Sequence, residues 1–241
     1  MYQAFIKPLY QDIKTFVLDT LFPISCLSCG EEGNFICVDC KVTMKSLEHQ
    51  RCISCHKQAP FGITHSKCLT TYTADQLISC YDYHDKKIAK IIIAGKYKFI
   101  KDVFQDLGTI IAAKLKQGHP YLLTPNTYFL IPIPLHSSRH RWRGFNQAEI
   151  LCQTISEQLQ LPCASVLVRC KITKTQKDLK KEQRLNNTMG AFAIDTKADI
   201  KGKSFILVDD VTTTGSTLQE AVKVLKRNGA LKVACLTVAR D

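Results

Sequence analysis

The densest run of chemistry-bearing residues in the 241-residue chain is Asp209-Asp210-Val211-Thr212-Thr213-Thr214-Gly215-Ser216-Thr217. Apolar Phe205-Ile206-Leu207-Val208 precedes it, and Leu218, Ala221, Val222 and Leu225 follow at helical spacing. The pattern therefore predicts two carboxylates at the end of a strand and a hydroxyl-rich loop opening a helix. Backbone N–H groups at a helix N-terminus, joined by Thr and Ser hydroxyls, cradle phosphate well. Gly215 lets the backbone approach that phosphate with no side chain in the way. The Gly-x-x-x-x-Gly-Lys-Ser/Thr pattern of nucleoside-triphosphate loops is missing. Acids for hydroxyls beside a loop for phosphate point to a sugar phosphate.

A second chemistry fills the front of the chain. Cys26/Cys29, Cys37/Cys40 and Cys52/Cys55 are Cys-x-x-Cys pairs, and His65/Cys68 repeats the spacing with one histidine. Two thiolates so spaced can grip one tetrahedral ion from a tight turn. Grouping neighbours gives Cys26, Cys29, Cys37 and Cys40 as one set and Cys52, Cys55, His65 and Cys68 as another. This is the simplest partition, and spacing also allows alternate pairs to share an ion. Closed sets of four describe structural zinc, two ions in all, each supplying on the order of 10 kcal/mol of folding free energy. Cys80, Cys152, Cys163, Cys170 and Cys235 are scattered and read as small buried hydrophobes.

Charge divides the chain the same way. Residues 1–80 hold seven Lys/Arg and seven Asp/Glu, so the net charge of +12 lies behind them. His136, Arg139, His140, Arg141 and Arg143 form an acid-free cluster after a predicted strand, where a pyrophosphate would lie. Residues 169–184 hold seven Lys/Arg against Asp178 and Glu182, either a loop over an anion or a solvated face. Lys96, Lys98 and Lys101 interleave with Tyr97 and Phe99 as in single-strand binders.

The elements that must position these groups follow from periodicity. Strands are predicted over residues 128–134, 165–169, 205–208 and 233–238, with helices over 145–160 and 217–227. That alternation predicts an α/β fold with a parallel sheet, whose ligands bind at the strands' carboxyl ends. Residues 2–21 carry an apolar stripe at helical spacing, read as a helix packed on its own protein, with a membrane surface or a docked partner as the other readings. A hydrophobic content of 45% excludes a disordered chain, and no apolar run reaches the roughly 20 residues of a membrane span. Charges interrupt every candidate signal-peptide core, so a cytoplasmic protein is expected.

The Val208-to-Thr217 stretch resembles the phosphoribosyl pyrophosphate (PRPP) signature of type I phosphoribosyltransferases. The resemblance implies that Asp209 and Asp210 hold the ribose hydroxyls as the catalytic acids. It implies that Thr212, Thr213, Thr214, Gly215, Ser216 and Thr217 bind the 5′-phosphate, with Mg²⁺ bridging the anions and Arg139 and Arg143 on the pyrophosphate side. A narrower likeness joins Ile131-Pro132-Ile133-Pro134-Leu135, Arg141-Trp142-Arg143-Gly144-Phe145-Asn146-Gln147-Ala148-Glu149, Thr175-Gln176, Arg184, Asn187, Gly190-Ala191-Phe192 and Ala94-Gly95-Lys96-Tyr97. With the cysteine front, these resemble the ComF/GntX group, although His65 stands where that group tends to have cysteine. The resemblance implies a helix over residues 1–25, a double zinc ribbon over 26–70 and a type I phosphoribosyltransferase-like domain over 71–241. It further implies PRPP binding, natural competence, single-stranded DNA and competence-machinery proteins as partners, and a cytoplasmic site at or near the inner membrane face. The other reading is a DNA-binding or regulatory module that keeps the PRPP fold without turnover. The chain ends at Asp241 directly after the last predicted strand, so residues 70–127 are expected to serve the acceptor side.

Overall fold

The computed structural model describes residues 23–124, 127–171 and 188–241. The predicted helix over residues 2–21 lies outside them, as do Thr175, Gln176, Arg184, Asn187 and most of the basic run after Arg169. Four strands make one parallel sheet in the order β1 (Gln76–Asp82), β6 (Lys232–Arg240), β5 (Ser204–Thr212) and β2 (Tyr128–Pro132). Successive strand residues point to opposite faces. Ile206 and Val208 of β5 accordingly join one core, while Phe205 and Leu207 join the other. A parallel sheet covered on both faces needs apolar residues at both parities, which explains the unbroken apolar run before Asp209.

Helices α2 (Lys86–Tyr97), α3 (Asp102–Gly118) and α5 (Gln147–Leu159) fill the first face, with Ile88, Leu107 and Leu151 fully buried. Helix α6 (Ser216–Arg227) covers the second face through Leu218, Ala221, Val222 and Leu225, one stripe of a 3.6-residue period. Short helices α1 (Val38–Thr43) and α4 (Ser137–Arg143) complete the α-helices with bounds among the described residues.

Three expectations differ from the structure. Residues 165–169 do not join the parallel sheet; Leu167–Arg169 is β3, paired antiparallel with β4 (Phe192–Ile194) in a separate sheet. The chain touches the main sheet once, where Leu130 N–H donates to Pro162 O and Ala164 N–H donates to Leu130 O. Pro162 has no N–H with which to extend that ladder. Strand β1 was not predicted, although it forms a sheet edge. Of the five scattered cysteines, Cys80, Cys152 and Cys235 are buried, but Cys163 and Cys170 are exposed.

The cysteine-rich front lies along the free edge of β1. The Gln50 side chain donates to Ser79 O and accepts from Ser79 N–H, and Leu47 and Asp82 make backbone hydrogen bonds across the same seam. An open strand edge is thereby closed by a neighbouring loop. Among the described residues, no helix is long and apolar enough to cross a membrane.

Candidate anion cleft and metal centres

Asp209 and Asp210 stand at the carboxyl end of β5, with Asp210 buried and Asp209 half-buried. Asp210 N–H donates to Asp209 Oδ1 at 2.8 Å. Lys96 Nζ lies 2.7 Å from Asp210 Oδ2. Burial first, and the neighbouring Asp210 charge second, push the Asp209 carboxyl up to about 7, against the pull of Lys96 and Arg169. Lys96 reaches this position because α2 and α3 approach closely at Gly95. A Cβ there would lie 2.7 Å from Val103 Cγ1 and 2.8 Å from the Phe104 ring.

The loop after the acids curls around a small hollow lined by Thr212, Thr213, Thr214, Gly215, Ser216 and Thr217, with Asp209 at its edge. Gly215 takes φ of 76° and caps α6 without a side chain, a conformation that favours glycine. Thr214 Oγ1 donates to Ser216 Oγ at 3.1 Å, drawing the hydroxyls together.

Opposite the acids, the residues after β2 supply cations. Asn146 accepts from Ala148 N–H to cap α5 and donates to Ile133 O, tying the helix start to the strand end. Arg143 Nη1 donates to Gln147 Oε1 at 2.5 Å, which turns the guanidinium toward the cleft. Arg143 Nε is buried without a hydrogen-bond partner, and burial holds the pKa of this arginine below its ordinary value. Arg139, Arg143 and Arg169 line one cleft of about 510 Å³ together with Asp209, Asp210, Thr213 and Thr217. The acids, the loop and both pyrophosphate-side arginines predicted from sequence are thus brought together. His140 and Arg141 are exposed and do not line the cleft, and His136 caps α4 by accepting from Ser138 N–H.

Several lining residues had no role assigned from sequence: Tyr83, Trp142 and Gln147, together with Lys96 in its pairing with Asp210. The Ala94-Gly95-Lys96-Tyr97 run was the available signal for Lys96. Tyr83 follows β1, which was itself unpredicted.

The front residues gather into two clusters made of sequence neighbours. The ligand atoms of Cys26, Cys29, Cys37 and Cys40 lie within 4.8 Å of one another, and so do those of Cys52, Cys55, His65 and Cys68. This grouping decides against alternate pairs sharing an ion. Four ligands at Zn–S distances near 2.3 Å stand about 3.8 Å apart on a tetrahedron. Cys29 Sγ and Cys37 Sγ are 3.6 Å apart, and Cys55 Sγ is 3.3 Å from His65 Nδ1, close to such edges. His65 Nε2 lies 3.0 Å from Gln58 O, so an Nε2–H donor there leaves the Nδ1 lone pair for a metal. The residues fit two structural zinc ions.

Comparison with known proteins agrees with both regions. A double zinc ribbon domain model matches residues 17–69, and a phosphoribosyl transferase domain model matches residues 146–241. The chain is 30% identical to competence protein F of Haemophilus influenzae over 86% of its own length and 97% of that protein. It is 28% identical to competence protein ComFC of Bacillus subtilis over 86% of this chain and 84% of that one. The DNA utilization protein YhgH of Escherichia coli K12 is 40% identical over 44% of this chain and 48% of its own. With a parallel phosphoribosyltransferase-like sheet behind a double zinc ribbon, and with that near full-length relative, the chain belongs to the competence protein F family.

Proposed function

We propose that this protein binds PRPP with Mg²⁺ in the cleft at the end of β5 and handles single-stranded DNA in natural competence, in the cytoplasm. The ribbon spans residues 26–70 and the phosphoribosyltransferase-like domain 71–241. The observation that carries the reading is the meeting of two carboxylates, a hydroxyl-lined loop and three arginines around one cleft, where Arg143 Nε remains a buried donor without a partner. A neutral ligand satisfies neither charge; a ligand bearing phosphates at both ends and hydroxyls between satisfies both.

In this reading the loop N–H groups and the hydroxyls of Thr212 to Thr217 donate to the 5′-phosphate, and Asp209 and Asp210 accept from the ribose hydroxyls. Arg139 and Arg143 hold the pyrophosphate, and Lys96 exchanges its contact with Asp210 for phosphate oxygen. Two adjacent carboxylates, with Asp209 pushed up to about 7 by burial and its neighbour's charge, suit a divalent cation, which relieves their mutual repulsion. Mg²⁺ supplies that charge when bound. If phosphoribosyl transfer occurs, the arginines stabilise the departing pyrophosphate and the acids orient the ribose.

A thermal-shift titration with PRPP and Mg²⁺ tests the reading. The wild type is expected to gain stability with ligand concentration, and the Asp209→Ala/Asp210→Ala variant to fold and gain none. Equal gains in both proteins would place the ligand elsewhere. No gain in either would leave the DNA-handling module without a PRPP role.

A further inference from the structure

At the mouth of the cleft three aromatic rings face solvent. Tyr97 ends α2, Phe99 lies in the turn between α2 and α3, and Trp142 sits in the last turn of α4. They are 43%, 47% and 55% exposed. Phe99 and Trp142 stand 5.2 Å apart between ring centroids, and Tyr97 and Trp142 6.0 Å, at interplanar angles of 65° and 64°. Edge-to-face contacts hold Trp142 between its two neighbours and leave ring surface open. Phe99 does this from a φ of 59°, the left-handed region that residues with a Cβ rarely adopt.

The surroundings carry mainly one sign of charge. Lys98, Lys101 and Arg141 are exposed and stand within two residues of a ring in sequence, and the Arg143 guanidinium lies 5.9 Å from the Trp142 ring centroid. Asp102 is the acid adjacent in sequence. Apolar rings set in positive charge disfavour a second copy of this chain, which would bring like charge against like. They match a polyanion that also carries flat apolar faces. Bases stack on aromatic rings while Lys and Arg follow the phosphates, a recognition that is tolerant of sequence. Tyr97 and Trp142 also line the cleft, so the platform is continuous with the mouth of the anion site.

We propose that Tyr97, Phe99 and Trp142 form a stacking platform for the bases of single-stranded nucleic acid, with the strand's phosphates on Lys98, Lys101 and Arg141. The proposal deepens the strand-handling half of the function proposed above and rests on it.

Trp142 is the single tryptophan of the chain, so its fluorescence reports on the platform itself. The full-length protein would be titrated with an oligothymidylate of about 15 nucleotides and with an abasic oligonucleotide of the same length, a size within one strand-binding module. Quenching by the thymidylate, with little from the abasic strand, is the expected result. Anisotropy of labelled oligothymidylate should show Trp142→Ala weakened roughly 5- to 150-fold, the span expected for one lost stacking partner. Trp142→Phe keeps a ring and should stay within about threefold of wild type. Equal affinity for the thymidylate and abasic strands, or wild-type affinity in Trp142→Ala, would overturn the platform and leave strand binding intact. If wild type binds no strand while PRPP still raises its melting temperature, the platform and the strand-handling half both fall. A dimer that Trp142→Ala dissolves would likewise overturn it in favour of a protein contact.

Discussion

The two cysteine clusters use the same ligand chemistry, yet they touch different parts of the molecule. In the first, Cys26, Cys37 and Cys40 are buried, and they pack with Ile36 and Met44 into the core that α2, α3 and α5 share. In the second, Cys55 and Cys68 are only half-buried, and the inward residue is Ile53, at the tip of the Cys52/Cys55 knuckle. Ile53 belongs to the opposite core with Leu218 and Ala221 of α6. The knuckle is pinned on both flanks. Arg240 at the end of β6 donates to Arg51 O at 2.8 Å, and Gln219 of α6 donates to Ser54 Oγ at 3.3 Å. A Cβ on Gly215 would lie 3.0 Å from Ile53 Cγ1, so the second cluster forms a wall of the loop over residues 212–217. One cysteine cluster braces a helical face, while the other braces the loop proposed to hold the 5′-phosphate.

That difference predicts unlike consequences of metal loss. Wild type should hold two zinc ions per chain and each knock-out one, measured by elemental analysis. Cys52→Ser should weaken the proposed PRPP binding by about tenfold or more, which is about 1.4 kcal/mol at the loop. Cys26→Ser should lower the melting temperature and leave PRPP affinity within about threefold of wild type. Equal PRPP losses in the two variants would erase the distinction between the centres.

A double-mutant cycle measures the contact itself. Gly215→Ala in wild type meets both an unfavourable φ, costing about 1–2 kcal/mol, and the Ile53 side chain. Ile53→Ala alone should cost about 2–4 kcal/mol because it empties a fully buried position. In the Ile53→Ala background, the glycine substitution should cost only its backbone share, a coupling of about 0.5–1 kcal/mol by denaturant unfolding. Additive costs would mean that the knuckle does not confine the loop.

The parts of this arrangement differ in how far they could be read in advance. Cysteine pairs and the Asp209-to-Thr217 loop are local, because ligand bite and strand-to-helix turns fix their residue types within a few positions. Strand β1 was not legible because Gln76 and Ser79 interrupt its apolar run. In the fold both are buried, with Ser79 Oγ 2.8 Å from Thr237 Oγ1 of β6 and Gln76 donating to Phe61 O. Polar residues satisfied by distant partners hide a strand from a periodicity reading. The Ile53–Gly215 contact joins residues far apart in sequence, and Ile53 alone looks like any residue between two cysteines. Lys96 was visible in its motif, but its partner Asp210 required the α2–α3 approach at Gly95.

Acidity separates the wall of the loop from the charge beside it. The folded-state pKa of Asp209 is raised from 3.8 to about 7, so the native state binds this proton more tightly than the unfolded chain. Below the unfolded value both states are protonated and the group changes nothing. Between about pH 4 and pH 7 the native state progressively loses relative stability, and above that the loss is complete. Asp209→Asn should therefore raise the apo melting temperature more at about pH 8 than at about pH 5. Binding of Mg²⁺ and PRPP, which needs the carboxylate, should strengthen over the same rise in pH. Ile53→Ala acts through packing and should keep the wild-type pH profile at lower overall stability. A changed profile in Ile53→Ala would show that the second cluster reaches the acids as well as the loop.

Salt supplies the smallest effect, and it bears on neither centre. The front carries equal numbers of acids and bases up to residue 80, so the proposed strand is expected to meet most of its cations in the rear. Each phosphate contact with a single strand releases counterions and adds about −0.7 to the slope of log affinity against log salt. Lys98 and Lys101 are exposed beside the proposed platform, and replacing both with Ala should flatten that slope by about 1.4. Affinity in the Lys98→Ala/Lys101→Ala variant should fall most at low salt and converge on wild type as salt rises. Cys26→Ser and Cys52→Ser remove no Lys or Arg and should keep the wild-type slope, even where Cys52→Ser has lost PRPP affinity. If Cys52→Ser flattened the slope as the lysine variant does, the ribbon would be part of the strand's path, and the two centres would differ in DNA contact as well as in what they brace.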